Sequence, residues 1–380
     1  NVESDENYQH YVDQIKSLST KRRLEIAAKK ITTLAQSNEI FPVDKLISEA
    51  ESYVSDATPS YVSTAQAFKL GDDALDRFLS ERLDRPRGML GYSCGFPTLD
   101  RIFSGLVPKR LYVFAGRQGV GKSALALNMA KSLTFDQNLP GLIIDTENDR
   151  SMCEVRLLSL LSGVDKTSIE TGFFGKDGNN YEGVMGAREL LRSKDLYHIN
   201  MVEHDIKKLD LLCRKHVELY GIEYVIYDFI RSDIVDDNFG GKEYQVLGEI
   251  TKSLQAIGNK YNISVIMMAQ LNRPNPGSRN DVLGSERIAG SDRIGWFADA
   301  AVGIRKLTPN EINKFDGVSN INRMLDVMKN RHGNDDVPPI PVFYEGHLCR
   351  MNEGELNNGK GANNVPYENR EDQSSGPWDY

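Results

Sequence analysis

The stretch Gly116-Arg117-Gln118-Gly119-Val120-Gly121-Lys122-Ser123 decides the fold, because its spacing is GxxxxGK followed by Ser or Thr. The apolar run Leu111-Tyr112-Val113-Phe114-Ala115 precedes it, and Ala124-Leu125-Ala126-Leu127-Asn128-Met129-Ala130 follows. That order predicts a strand, a tight glycine-rich turn and a helix. Glycines let such a turn bring backbone N–H groups close to a phosphate chain, and the helix N-terminus adds a favourable field. Lys122 is suited to neutralising β- and γ-phosphates, and the Ser123 hydroxyl to sitting on magnesium. Residues Gly116 to Ala124 are therefore expected to bind a nucleoside triphosphate.

Working outward, strands and helices alternate from about residue 91. Strands are expected at Leu111–Ala115, Gly141–Asp145, Tyr197–Asn200, Tyr224–Tyr227, Ser264–Ala269 and Ala300–Ile304. Helices are expected at Lys122–Leu133, Met152–Leu161, Tyr181–Leu191, Ile206–Tyr220 and Tyr244–Tyr261, with later strands near Asn322–Lys329 and Val342–Tyr344. The pattern is that of an α/β fold around a mainly parallel sheet, whose strand-end loops hold its ligands. Ahead of it, residues 8–36, Val43–Val54 and Ala65–Glu81 read as amphipathic helices, the first carrying the basic group Lys21-Arg22-Arg23. They are too few for a large core of their own, so they either pack on the main body or dock on a neighbouring subunit. The expected division is a helical region over 1–84, the α/β domain over 85–352, and a mobile tail over 353–380, where periodicity gives way to Asn, Gly, Glu and Pro.

The strand ends carry the chemistry. Ile222-Glu223-Tyr224-Val225-Ile226-Tyr227-Asp228 is an apolar run closed by a carboxylate, which would emerge beside the phosphate loop and orient magnesium together with Ser123. Leu142-Ile143-Ile144-Asp145-Thr146-Glu147 ends in two acids. Glu147 is the candidate base for an attacking water; Asp145 either assists the metal or hydrogen-bonds the loop. Gln270, after Val265-Ile266-Met267-Met268-Ala269, has an amide able to bond a γ-phosphate oxygen and a neighbouring loop, as a phosphate sensor would. Lys329 and Arg331 alternate onto one side of a strand and could bridge the phosphates of a nucleotide held by another subunit.

Composition narrows the class. With 40% hydrophobic and 26% charged residues the chain reads as a globular protein, and it contains no apolar run of bilayer length. Neither a secretory leader nor a membrane partner is expected. The cysteines, Cys94, Cys153, Cys213 and Cys349, lack metal-ligand spacing and read as reduced thiols of the cytoplasm. A net charge of −8, from 46 basic and 54 acidic residues, argues against coating nucleic acid by global charge but leaves room for a narrow basic channel.

Taken together, these motifs resemble the C-terminal motor domain of replicative hexameric DNA helicases of the DnaB type, bacterial and phage, within the RecA-like ATPase class. The resemblance rests on Gly95-Phe96-Pro97-Thr98-Leu99-Asp100, the phosphate loop, Asp145-Thr146-Glu147, Ile226-Tyr227-Asp228, Ala269-Gln270-Leu271-Asn272-Arg273 and Lys329-Asn330-Arg331, and it covers about residues 85–352. It implies an ATP- and Mg2+-dependent helicase that encircles single-stranded DNA as a homo-hexameric ring and moves 5′ to 3′. In that scheme Glu147 is the catalytic carboxylate, Asp228 the metal-side acid, Gln270 the sensor, and Arg331 with Lys329 the cations supplied in trans. Segment 8–54 resembles the family's linker helix, which packs on the adjacent motor. A collar domain precedes it in longer members, and a primase and a helicase loader are partners. Ser285-Glu286-Arg287-Ile288-Ala289-Gly290 resembles the family's central-channel loop, with Ile288 where an acid is common. Arg287 and Gly290, assisted by Arg279 and Arg293, are its expected phosphate contacts on DNA, a grip that tracks the backbone without reading bases. Rival readings are a RecA-like recombination or repair ATPase, and a nucleotide-controlled scaffold that does not translocate.

Overall fold

The computed structural model describes residues 2–37, 43–57, 73–84, 88–176, 178–201, 206–230, 243–270, 292–315 and 320–354. Asp233–Lys242, the segment containing Arg279, Arg287 and Gly290, and the expected tail beyond residue 354 lie outside them.

The sheet grows from strands whose residues are apolar on both faces. β1 (Leu111–Gly116), β2 (Gly141–Asp145) and β5 (Ser264–Gln270) are buried along almost their whole length. Side chains alternate across a strand, so one apolar run feeds two cores. Tyr112 and Phe114 enter one core with Leu99, Leu125, Met129 and Leu157; Leu111, Val113 and Ala115 enter the other with Leu209, Cys213, Leu254 and Ile257. Each large side chain so buried contributes about 1.5–3 kcal/mol of transfer free energy. One face is covered by α4 (Pro97–Phe103), α5 (Lys122–Ala130) and α6 (Arg150–Ser162), the other by α9 (Ile206–Tyr220) and α10 (Glu243–Tyr261).

The full order is β3-β2-β4-β5-β1-β6-β7-β8-β9, with β3 (Leu196–Asn200), β4 (Tyr224–Ile230), β6 (Ala300–Lys306), β7 (Arg323–Asn330), β8 (Ile340–Glu345) and β9 (Arg350–Glu353). From β3 to β6 every pairing is parallel. From β6 to β9 every pairing is antiparallel. The parallel half sends its carboxyl ends to one edge: Asp145 pairs with Asp228, and Gly116 pairs with both Gln270 and Ile304. Chain reversal at β7 sends Arg323 to that edge and Asn330 to the opposite one, opposite Lys306 and Ala300 respectively.

Local sequence explains the helix ends. Asp149 caps α6 by accepting from the Met152 N–H at 2.8 Å, and Gly163 closes it in the left-handed region. The expected helix Lys122–Leu133 widens instead into a π-helical turn over Lys131–Asp136. At the N-terminal side, α1 (Val2–Gln36) packs on α2 (Val43–Ala57), with Lys30 over the Tyr53 ring, while α3 spans Asp73–Asp84. Leu18, Leu24 and Ile26 on α1, and Leu46, Ile47 and Val54 on α2, stay exposed. No helix among the described residues is long and apolar enough to cross a membrane.

Candidate nucleotide site

β1 ends at Gly116 and α5 begins at Lys122, so the turn between them is held by two rigid elements. Gly121 sits at φ 108° as the residue before α5, a conformation that disfavours a side chain. At Gly116 the constraint is space: an added Cβ would meet Ile304 Cγ2 at 2.5 Å. No side chain caps α5, so its first N–H groups point into the turn without an intrahelical acceptor. That leaves an anion cradle. Lys122 folds into it, donating to the Gly116 and Arg117 carbonyls at 3.1 Å each. Burial lowers its pKa, while the Asp228 and Glu147 carboxylates work the other way.

Asp228 is buried beside it. Burial pushes its carboxyl up to about 7, reinforced by Asp145 and opposed by the Ser123 hydroxyl, which hydrogen-bonds to it, and by Lys122. Its Oδ1 is sequestered without a hydrogen-bond partner, a costly state unless something else uses that oxygen. The Ser123 hydroxyl and the Asp228 carboxylate fit a magnesium ion: both are hard oxygen donors, and this ion takes few protein ligands, filling its shell with phosphate and water. Among the described residues no cluster of three or more His, Cys, Asp or Glu could form an all-protein metal cage.

The two acids ending β2 part company. Asp145 is buried and engages the loop: its Oδ1 accepts from the Glu147 and Asn148 N–H groups at 2.8 and 2.7 Å. Of its two sequence readings, the structure shows the loop contact. Glu147 is exposed at the same edge. Gln270, half-buried, lies in register with Gly116.

Lys329 and Arg331 share a side but lie far from this loop. Lys329 pairs with Ala301 near the start of β6. Ala301 is opposite Val113, and Ala300, the partner of Asn330, is opposite Tyr112. Along the strand direction Lys329 therefore lies three residues, or about 10 Å, from Gly116 and Arg331 five residues, or about 17 Å, at roughly 3.3 Å per residue. Neither side chain can reach the phosphate loop of its own chain. Of the expected DNA contacts, only Arg293 falls on a described element, α11 (Asp292–Phe297).

Three features escape sequence reading. A cavity of about 310 Å³ adjoins the loop, lined by Arg117, Gln118 and Val120 and by Ile304 to Thr308. Arg305 fixes its far wall, donating to Glu311 at 2.6 and 2.8 Å and to Asp326 at 2.7 Å. Arg323 supports the loop from β7, donating to the Val120 carbonyl at 2.9 Å while its guanidinium lies 5.3 Å from the Tyr344 ring centroid. A larger cavity, about 640 Å³, lies under α6 and α8 (Gly178–Arg192) beside β3, and none of the phosphate-loop residues lines it.

Residues 91–353 match the family described as the DnaB-like helicase C-terminal domain. The chain belongs to that family. The replicative DNA helicase DnaB of Leifsonia xyli subsp. xyli (strain CTCB07) is 25% identical over 352 residues, covering 91% of this chain and 74% of the relative. That of Treponema pallidum (strain Nichols) is 22% identical over 302 residues, covering 79% and 67%. Among solved structures, an ATPase domain superposes with a TM-score of 0.64 at 16% identity, covering 75% of this chain and 99% of that one. A DnaB-like replicative helicase solved for its interactions with primase gives 0.69 at 16%, covering 91% and 78%. As a DnaB-like helicase, this chain has the RecA-like fold with a mixed, mostly parallel sheet, and it is a nucleotide-binding, ATP-driven replicative DNA helicase.

Proposed function

We propose that this helicase works as a homo-hexameric ring that encircles single-stranded DNA, moves 5′ to 3′ and excludes the complementary strand. What supports this reading is the separation of Lys122, Ser123 and Asp228 at one sheet edge from Lys329 and Arg331 at the other. A nucleotide cradled at Gly116–Ala124 is completed only by a neighbour, so turnover depends on assembly.

Within one pocket, the first-turn N–H groups and Lys122 hold the phosphates, and the nucleoside enters the cavity beside Val120 and Thr308. Ser123 and Asp228 hold Mg2+, which when bound neutralises charge on the phosphate chain. Glu147, exposed toward solvent, accepts the proton of the attacking water. Gln270 senses the terminal phosphate at the end of the strand next to β1. From the next subunit, Arg331 and Lys329 stabilise the charge that develops as the phosphoryl group departs. Arg287 and Gly290, with Arg279 and Arg293, grip the DNA backbone. The helical region 1–84 docks on the adjacent motor through the exposed apolar residues of α1 and α2. A primase and a loader are the protein partners, and the bacterial or host cytoplasm is the site of action.

Forked substrates test this directly. ATP-dependent displacement is expected on a fork with a free 5′ tail and not on one carrying only a 3′ tail. Equal displacement on both, or none without a second enzyme, would overturn the ring-translocation reading.

A further inference from the structure

Lys329 and Arg331 do not project freely. Lys329 Nζ donates to the Gly295 carbonyl and, at 2.6 Å, to that of Ala298. Arg331 donates to the Trp296 carbonyl at 2.7 Å and to Asp299 Oδ1 at 3.1 Å. Gly295 and Trp296 belong to the last turn of α11, and Ala298 and Asp299 to the turn that joins it to β6. Asp299 is the anchor of this turn. Its carboxylate is buried, its Oδ2 accepts the Leu111 N–H at 2.9 Å, and its backbone carbonyl accepts the Arg331 N–H at 2.8 Å. His332 Nε2 lies 3.4 Å from Oδ1, on the oxygen that also holds Arg331.

We propose that Asp299 is a positioning residue for trans catalysis: it aims the Arg331 guanidinium at the nucleotide of the neighbouring subunit. This rests on the assignment of Arg331 to the neighbour's site. The geometry suits that task. Oδ2 is committed to β1, so the carboxylate cannot swing, and its other oxygen fixes one edge of the guanidinium while the Trp296 carbonyl fixes another. The Arg331 side chain is 42% exposed, so part of its donor fork stays open to an incoming phosphate oxygen. A planar fork held at two points keeps its direction; a misplacement of about 1 Å in such a group costs on the order of 10²-fold in rate.

The experiment uses the whole chain carrying Asp299→Asn, Arg331→Ala or Glu147→Gln, alone and mixed pairwise, with DNA-stimulated ATP turnover and thermal melting as readouts. Asp299→Asn keeps an oxygen acceptor for the Leu111 N–H, and its kcat is expected to fall about 10²-fold with KM for ATP little changed. Mixing it with Glu147→Gln subunits should restore turnover, because sites built from an intact pocket and an intact Arg331 then form. Mixing it with Arg331→Ala should restore none, since both defects lie on the supplying face. If Arg331→Ala and Glu147→Gln complement each other but Asp299→Asn and Glu147→Gln do not, Asp299 is merely structural and the inference falls alone. If the Arg331 pair fails as well, the trans assignment falls and the inference with it. Should Asp299→Asn not fold, Arg331→Lys carries the test: it keeps the charge but loses the two-point hold, and wild-type turnover there would overturn the proposal.

Discussion

Replacing Glu311 with Gln attacks the wall of the nucleoside cavity, and its cost can be worked from the ion pair itself. Glu311 accepts from both terminal nitrogens of Arg305, and also from the Thr308 N–H at 2.8 Å and hydroxyl at 2.9 Å. The Arg305 guanidinium is the main reason its carboxyl is held down at about 2, against burial, which acts upward. From an ordinary value of 4.5 that is about 2.5 pH units, or about 3 kcal/mol at 1.36 kcal/mol per unit. The pair is shielded, with side-chain exposures of 9% and 20%, so screening reduces this only modestly. Breaking a buried pair from one side costs about 3–5 kcal/mol, in line with that figure. Because the folded carboxyl is depressed, the unfolded chain binds its proton first. The stabilisation is therefore complete above about pH 4.5 and is lost as pH falls toward about 2. Urea unfolding of wild type and Glu311→Gln should differ by about 3 kcal/mol at pH 7, and the gap should close through that acid window. A gap below about 0.5 kcal/mol at neutral pH, or one indifferent to acid, would refute the reasoning. A raised KM for ATP in the variant would further tie this wall to the nucleoside.

Lys122→Ala should abolish hydrolysis while circular dichroism and melting stay near wild type; near-normal turnover would remove Lys122 from the mechanism. Asp228→Asn removes a buried carboxyl whose pKa is raised to about 7, chiefly by burial. That group's stabilising share is present below the ordinary value of 3.8 and is lost as pH rises through about 7. The nucleotide-free variant should thus melt no lower than wild type at pH 8 although turnover is lost, and a clear drop in melting temperature would contradict this. Arg287→Ala should weaken single-strand binding, measured by anisotropy, with nucleotide affinity retained; unchanged DNA affinity would strike it from the contacts.

Much of the motor is legible because its strands are buried on both faces and so read as unbroken apolar runs. Leu111–Ala115 and Gly141–Asp145 can be placed nearly to the residue, and the strand-closing carboxylates Asp145 and Asp228 announce themselves by following such runs. β9 escapes because its four residues, Arg350–Glu353, include one apolar side chain, Met351, and are too few to carry a periodic signal of their own. α4 and α7 (Lys166–Thr171) escape for the same reason, being six or seven residues long. The supports of the site are illegible for a different reason. Arg323 meets Val120 across some two hundred residues, and Asp299 meets both Leu111 and Arg331. Those meetings depend on which strands are neighbours, and one sequence does not disclose strand order. Asp145 can be read as a metal ligand or a loop anchor from sequence; only its hydrogen bonds to Glu147 and Asn148 separate the two.

β1 has a consequence for how force passes through an assembly. One end is clamped by Asp299 beside Arg331, and the other opens into the cradle at Gly116. Every residue between is enclosed, with neighbouring strands on both flanks and helices above and below. Close-packed interiors compress very little, so the strand behaves as a strut. A push at one end is delivered to the other with little lost to slack. In a closed circle of such subunits, successive struts would join pocket to pocket, and hydrolysis at one would be felt mechanically at the next.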